Sequence, residues 1–459
     1  MVNFIGGIFY FLLALGILVT IHELGHFLAA RACKVKVLRF SLGFGPVIYK
    51  KTGKDGCEYA VSAIPLGGYV KMEGENNPAQ GDKLMPSNEG LSPDSFKAKP
   101  VWQRAIIIFA GPFFNIALAV ILFTIVNMSG ISERYAVVGD VAPMSIAQEA
   151  GFKTFDRIET VEGKSIETWS DFVYTLVEYT GSNKILDVVV KSDMGKGAAR
   201  TLPLSLKDFT LNRNESPLDV LGLKICFGNI TNTLGAVVKN SPADKAGLKV
   251  GDKIVLIDGQ EVDSWFRIQE SIADSECRPM ELVVERDGVK YSAIVVPELK
   301  NNSKAKKAKP FVGIAAKVEP LEGLSRMVSY GPVEAFGKAI KDAASMSKLV
   351  VVSAYKLING SISADNISGP IAIAKGAQES AQFGLIIFIS FLAAISVNLG
   401  ILNLIPIPVL DGGQLLFLAY EAIMHREPSA RTQAFLTSIG AAVLLTLTVF
   451  AVFNDIKGL

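Results

Sequence analysis

The sequence predicts a polytopic α-helical membrane protein with a membrane-associated β-hairpin region and two tandem α+β domains. Three observations lead there. Apolar runs at residues 4–30, 106–126, 385–404 and 435–453 are each long enough to cross a hydrocarbon layer of roughly 30 Å. Half of the 459 residues are hydrophobic and the mean hydropathy is positive, which suggests a membrane protein with soluble parts. Between the second and third runs, one residue pattern occurs twice at constant offset. The net charge of +2 gives no basic footprint for nucleic acid. The four cysteines, Cys33, Cys57, Cys226 and Cys277, contain no CxxC pair. They form no disulfide framework or thiolate metal site by spacing, which leaves a Cys226–Cys277 pairing open.

The first run lacks a basic segment before it and a small-residue cleavage site after it, so it reads as a retained span rather than a signal peptide. It contains His22-Glu23-Leu24-Gly25-His26, the pattern H-E-x-x-H. Histidines four apart share one helix face and can address one metal ion, and the glutamate between can act as general base on water there. An acid in a span is costly unless it has a task. Arg31, Lys34, Lys36 and Arg39 follow directly, then Lys50, Lys51 and Lys54. The positive-inside rule makes that loop cytoplasmic and the N-terminus external.

Residues 35–75 alternate apolar and polar positions between glycines, as in paired strands. Gly43-Phe44-Gly45-Pro46 is expected to leave an open, kinked edge, because proline cannot donate to a ladder. Residues 74–95 are polar and read as a loop. The second span contains Gly111-Pro112 and Asn115. Asn115 reads either as a helix–helix hydrogen bond or as a substrate contact.

In the repeat, Gly151, Asp156, Ile158, Val161, Gly163, Ile166 and Trp169 recur as Gly247, Asp252, Ile254, Ile257, Gly259, Val262 and Trp265. Each copy has a short helix, a turn, a strand and a glycine turn. The pattern resembles PDZ domains, which bind extended peptides by strand addition. Phe155 stands where the second copy has Gly251, so the first copy's turn is expected to differ. Leu221-Gly222-Leu223 reads either as the second copy's terminus-binding loop or as a plain turn. After the basic stretch Lys304–Lys309, residues 321–360 have helical periodicity broken at Gly331-Pro332. That helix lies either on the membrane face or against the second copy.

The third span ends in Asn403-Leu-Ile-Pro406-Ile-Pro408-Val-Leu-Asp411-Gly412-Gly413. Two prolines unwind it, which is tolerated where backbone is buried in protein or lines a cavity. Asp411 is then presented on a turn. Zinc held by two histidines needs a third ligand and keeps a position for water, and Asp411 fits that need. His425, in a polar connector, reads as solvated.

H-E-L-G-H in the first span, G-P-x-x-N in the second, N-L-x-P-x-P-x-L-D-G-G after the third and Ser368-Gly369-Pro370-Ile371 together resemble the bacterial site-2 protease family over nearly the whole chain. The resemblance implies an intramembrane zinc metalloprotease of the bacterial inner membrane. It implies four transmembrane helices and two tandem PDZ-like α+β domains, with termini and PDZ-like domains periplasmic and the active site toward the cytoplasm. It further implies Zn2+ on His22, His26 and Asp411, Glu23 as catalytic base, and substrate binding by Asn403 and by a hairpin at Gly43, Phe44 and Gly45. The implied substrates are single-span membrane proteins: a pre-trimmed, RseA-like anti-sigma factor in envelope-stress signalling, and remnant signal peptides. The lipid bilayer and peptide ligands of the PDZ-like domains complete the partners, with no nucleic acid.

The expected layout is a first span at 1–31, a hairpin region and loop at 32–97, a second span at 98–127, and PDZ-like domains at 128–220 and 221–318. An amphipathic region at 319–376, a third span at 377–405, a turn and loop at 406–430 and a fourth span at 431–459 follow. Two other classes compete: a transporter with its ion site at the broken helix, and a non-catalytic tandem-PDZ receptor on a membrane anchor. The two membrane halves share no repeat, which argues against the transporter.

Overall fold

The computed structural model describes residues 2–75, 92–207, 209–211, 216–262, 264–300 and 309–457. The loop expected over 74–95 and the basic stretch Lys304–Lys309 fall mostly outside them. The chain forms two compact units: residues 1–131, 327–360 and 364–457 make one, and 132–326 with 361–363 make the other.

The first unit holds helices α1 (Val2–Ala32), α2 (Val101–Met128), α3 (Pro332–Ile358), α4 (Pro370–Gln382), α5 (Leu385–Asn403), α6 (Asp411–Met424) and α7 (Ala430–Lys457). Among them α1, α2, α5 and α7 are long and apolar enough to cross a membrane. Helices α1, α2 and α7 overrun the apolar segments read from sequence because helix continues into polar flanks, whereas α5 keeps to its segment. Helices α1 and α2 approach closely at two glycines. A Cβ on Gly25 would strike the Ala110 carbonyl, and one on Gly111 would strike the His22 and His26 rings.

Between α1 and α2, strands β1 (Val37–Thr52) and β2 (Glu58–Met72) pair antiparallel, and each bends back on itself. Gly43 and Gly45 take φ of 92° and 84°, which supplies the bend. The result is four short strands in the order 68–72, 37–42, 58–62, 47–52. Ser41 pairs with Tyr69 on one side and Ala60 on the other, and Leu42 with Gly68 and Val61. The edge expected at Gly43–Pro46 thus stops short of Ser41 and Leu42, which have a partner on each flank, while Phe44 pairs with Ile64. Among the described residues, 68–72 form one outer flank of this sheet.

Helix α3 buries Ala335, Ala339 and Ala343, one turn apart, the last two against Ala119 and Phe123 of α2 and Ala393 and Val397 of α5. It thus packs on the second and third spans. Asp455, near the end of α7, accepts the backbone N–H groups of Gly369, Ile371 and Ala372 at 2.9–3.0 Å and caps α4. The stretch after α5 is non-helical, as the prolines demand, but Asp411 opens a 14-residue helix where a loop was expected. Gly412 and Gly413, read as a turn, let the first turn of α6 press onto the backbone of Leu404–Pro408. All four cysteines are free.

In the second unit, the first copy has a sheet ordered Lys164–Ser165, Arg157–Val161, Ile185–Lys191, Ala199–Ser205. In the second copy Lys253–Ile257, Met280–Arg286 and Val289–Val295 repeat the last three. The duplication extends to single bonds. Phe155 N–H donates to Val138 O at 2.7 Å, as Gly251 N–H does to Leu234 O at 2.8 Å. Phe155 takes φ of 66° beside 96° for Gly251, so the two turns match after all. Asp156 is held by Arg200 and Asp252 by Arg286, each with a shortest contact of 2.6 Å.

Leu221-Gly222-Leu223 belongs to the first copy, not the second. Gly222 O accepts Ala142 N–H at 2.8 Å, and Leu223–Ile225 pairs with Val138–Val141. Its counterpart in the second copy is Val312-Gly313-Ile314, where Gly313 O accepts Val238 N–H at 2.8 Å. The first copy consequently runs past residue 220, and the second opens with the strand Asn229–Val237, which pairs with Ile314–Glu319.

Candidate metal centre

His22 and His26 lie one turn apart on α1 and project over Gly111 of α2. From the first turn of α6, Asp411 completes the cluster. His22 Nε2 stands 3.2 Å from His26 Nε2, and Asp411 Oδ2 lies 3.2 and 3.6 Å from those two nitrogens. His22 is 8% exposed, so the cluster is shielded from bulk solvent.

These distances have a physical meaning. Zinc at about 2.0–2.2 Å from nitrogen and oxygen ligands, in a tetrahedron, sets neighbouring ligand atoms about 3.3–3.6 Å apart. The observed triangle has that size. His26 Nδ1–H donates to the Ile107 carbonyl at 2.9 Å, which leaves Nε2 with its lone pair facing the cluster. Asp411 Oδ2 is buried with no hydrogen-bond donor among the described residues. With His22 in the tautomer that leaves Nε2 bare, three lone pairs converge there, and they repel one another unless a cation lies between them. The three residues can hold a metal ion, and with three protein ligands a tetrahedral ion keeps one position for water.

Glu23 faces another wall. The Val70 backbone N–H faces its carboxylate, and a Cβ built on Gly68 would lie 3.1 Å from Glu23 Cγ. The outer flank of the curled sheet therefore runs past the glutamate. Since Val70 turns its N–H outward, the two-residue alternation of a strand turns the Gly68 backbone to the same side. Phe44 stacks on Tyr69, ring centroids 6.3 Å apart, and covers Gly67. It braces the hairpin. Asn403 is the last residue of α5, where the broken segment begins. His425 is exposed at the C-terminus of α6, as its polar setting led one to expect.

Of the two readings of Asn115 the helix–helix hydrogen bond holds, its amide lying 3.2 Å from His22 Nδ1; sequence reasoning did not place it or Gly111, the slot for both rings, at the cluster, and it missed the strand carrying Gly68 and Val70. A signal for the first two was present. Gly111 and Asn115 are four apart, so they share the face of α2 that meets α1.

Comparison with known proteins fits this geometry. Residues 10–447 match the model of peptidase family M50. The chain is 39% identical over 461 residues to the "Regulator of sigma-E protease RseP" of Escherichia coli (strain K12), covering 100% of both chains. It is 38% identical over 456 residues to the "Regulator of sigma E protease" of Haemophilus influenzae, covering 99% of each. A relative in Vibrio cholerae, 37% identical over 447 residues and 97% of each chain, carries the words zinc metalloprotease in its name. A family match of that extent, with relatives aligned end to end, makes this membrane protein a zinc metalloprotease, and the chain belongs to peptidase family M50.

Proposed function

We propose that the chain hydrolyses peptide bonds within the membrane-spanning segments of single-span proteins. His22, His26 and Asp411 hold the zinc, and Glu23 is the general base. The observation that carries this reading is the 3.2–3.6 Å triangle of three acceptor atoms beside a glutamate, set on membrane-length helices.

When bound, zinc supplies a Lewis acid and makes water nucleophilic near neutral pH. Glu23 takes the proton of the attacking water and passes it to the departing amine nitrogen, so that the C–N bond breaks to a carboxylate and an amine. A helical substrate hides its carbonyls in i to i−4 bonds and must be unwound at the cut. Each freed backbone group costs several kcal/mol in hydrocarbon. The outer flank at residues 68–72 offers partners by strand addition, the Gly43-Phe44-Gly45 bend supports that flank, and Asn403 lies where the broken segment admits substrate.

The two copies are PDZ-like α+β domains that bind extended peptides. By the positive-inside rule they and both termini face outward, with the cut made toward the cytoplasmic side of a bacterial inner membrane. The relatives' sigma-E names point to a pre-trimmed anti-sigma factor as substrate, and remnant signal peptides share the required single-span form. The test is incubation of purified protein with a single-span peptide, with and without chelator. Cuts inside the span that vanish with chelator and return with zinc are expected; cuts confined to the flanks, or indifferent to chelator, contradict the reading.

A further inference from the structure

His22 presents Nε2 to the cluster, so as a metal ligand it must carry its ring proton on Nδ1. That proton needs an acceptor in a place water does not reach. The atom facing it, at 3.2 Å, is Nδ2 of Asn115, itself a donor. If Nδ2 remained there, Nδ1 would have to accept, and the ring proton would sit on Nε2 and block the metal. Meanwhile Asn115 is 0% exposed, and its Oδ1 is buried without a hydrogen-bond partner. Turning the amide end over end gives Oδ1 a partner and Nδ1–H an acceptor in one move, and amide orientation is fixed by such networks.

We propose that Asn115 Oδ1 accepts the Nδ1–H of His22, making Asn115 a positioning residue that fixes the ring's tautomer and angle for the metal. The inference rests on His22 being a ligand. His26 has the equivalent support, its Nδ1–H donating to the Ile107 carbonyl at 2.9 Å, so both rings are held from α2. Asn115 is itself held. Ser396 Oγ on α5 donates to its backbone carbonyl at 2.7 Å, and Gly400 lets α5 press against it, a Cβ there lying 3.4 Å from Asn115 Cβ. The line Ser396–Asn115–His22 thus joins three membrane-length helices at the metal centre.

The experiment is zinc affinity, read by graded chelator competition on the intact purified protein. Asn115→Leu keeps the branching and removes the acceptor; Asn115→Ala removes it without added bulk. Both are expected to weaken zinc by on the order of 10–100-fold. Asn115→Asp restores an acceptor and is expected to stay within a few-fold of the unaltered chain. Should Asn115→Leu fail to fold, Asn115→Ala against Asn115→Asp decides alone. Unaltered affinity in the acceptor-less variants overturns the proposal, as does equal loss in Asn115→Asp, which would mark a packing role. His22→Ala separates the two levels: if it retains zinc, the metal-centre reading falls and takes this one with it, whereas its loss beside an unaffected Asn115→Ala removes this proposal only.

Discussion

Gly111 shows how little room the centre has. A Cβ there would lie 2.6 Å from His26 Cε1 and 2.8 Å from His22 Cε1. Gly111→Ala is therefore expected to push the rings off their shared point and weaken zinc by at least about tenfold, a cost like that of losing an outer support. Chelator competition measures it, and unaltered affinity would mean the rings shift freely. At this scale the sequence was most legible where chemistry restricts residue type. Two histidines and a glutamate inside an apolar run have few other uses, and Asp411 followed from the need for a third ligand. Asn115 and Gly111 were seen but not placed, because a lone asparagine in a span fits many neighbours. Their partner on α1 emerges only once the Gly25 and Gly111 contacts set which faces meet.

Elements were legible where a period exists. The four long helices and the duplicated strand–turn–helix unit follow from hydropathy and repetition. The curl of β1 and β2 did not, because alternation gives pairing partners but not a strand folded back at Gly43 and Gly45. Helix α6 was lost because Asp-Gly-Gly reads as a turn, while here the glycines serve close packing. The corrected hairpin makes its own prediction. Val70→Pro removes the N–H that faces Glu23 on the outer flank. Cleavage of a stable helical peptide is expected to fall on the order of tenfold, about the worth of one hydrogen bond, with zinc content unchanged. A substrate already broken by Gly-Pro should lose less; equal loss for both substrates would exclude a role in unwinding.

The second copy makes a different prediction. Burial alone would raise the Asp252 carboxyl, but Arg286 and the Lys249 N–H outweigh it and hold the group below the usual carboxylate range. A group depressed on folding adds stability above its unfolded value of about 3.9, and that stability is lost as pH falls through the folded value. Hydrogen exchange in Lys253–Ile257 and Met280–Arg286 of the intact protein should accordingly quicken as pH drops below about 4, after correction for intrinsic rates. Asp252→Asn should lower protection at pH 7 and flatten that dependence. An unchanged acid profile in the variant would show that the Arg286 pair does not govern it.

For the molecule as a whole, family membership removes the transporter and the non-catalytic receptor as descriptions. The order of spans was legible throughout, whereas the boundary between the copies was misplaced because the Val312-Gly313-Ile314 segment departs from the repeat's constant offset. If the copies act as a size filter on the outer side, deleting residues 135–319 should let untrimmed substrates be cut while trimmed ones still are. Continued rejection of untrimmed substrates would leave the copies another task. The central claim, a metal centre worked by one glutamate, is tested most directly by measuring zinc content and peptide cleavage on the same Glu23→Gln preparation. Glutamine leaves His22, His26 and Asp411 in place but cannot take the proton. Zinc should remain at the level of the unaltered chain while cleavage falls by on the order of a hundredfold or more. Cleavage near the unaltered rate with zinc bound would contradict the account.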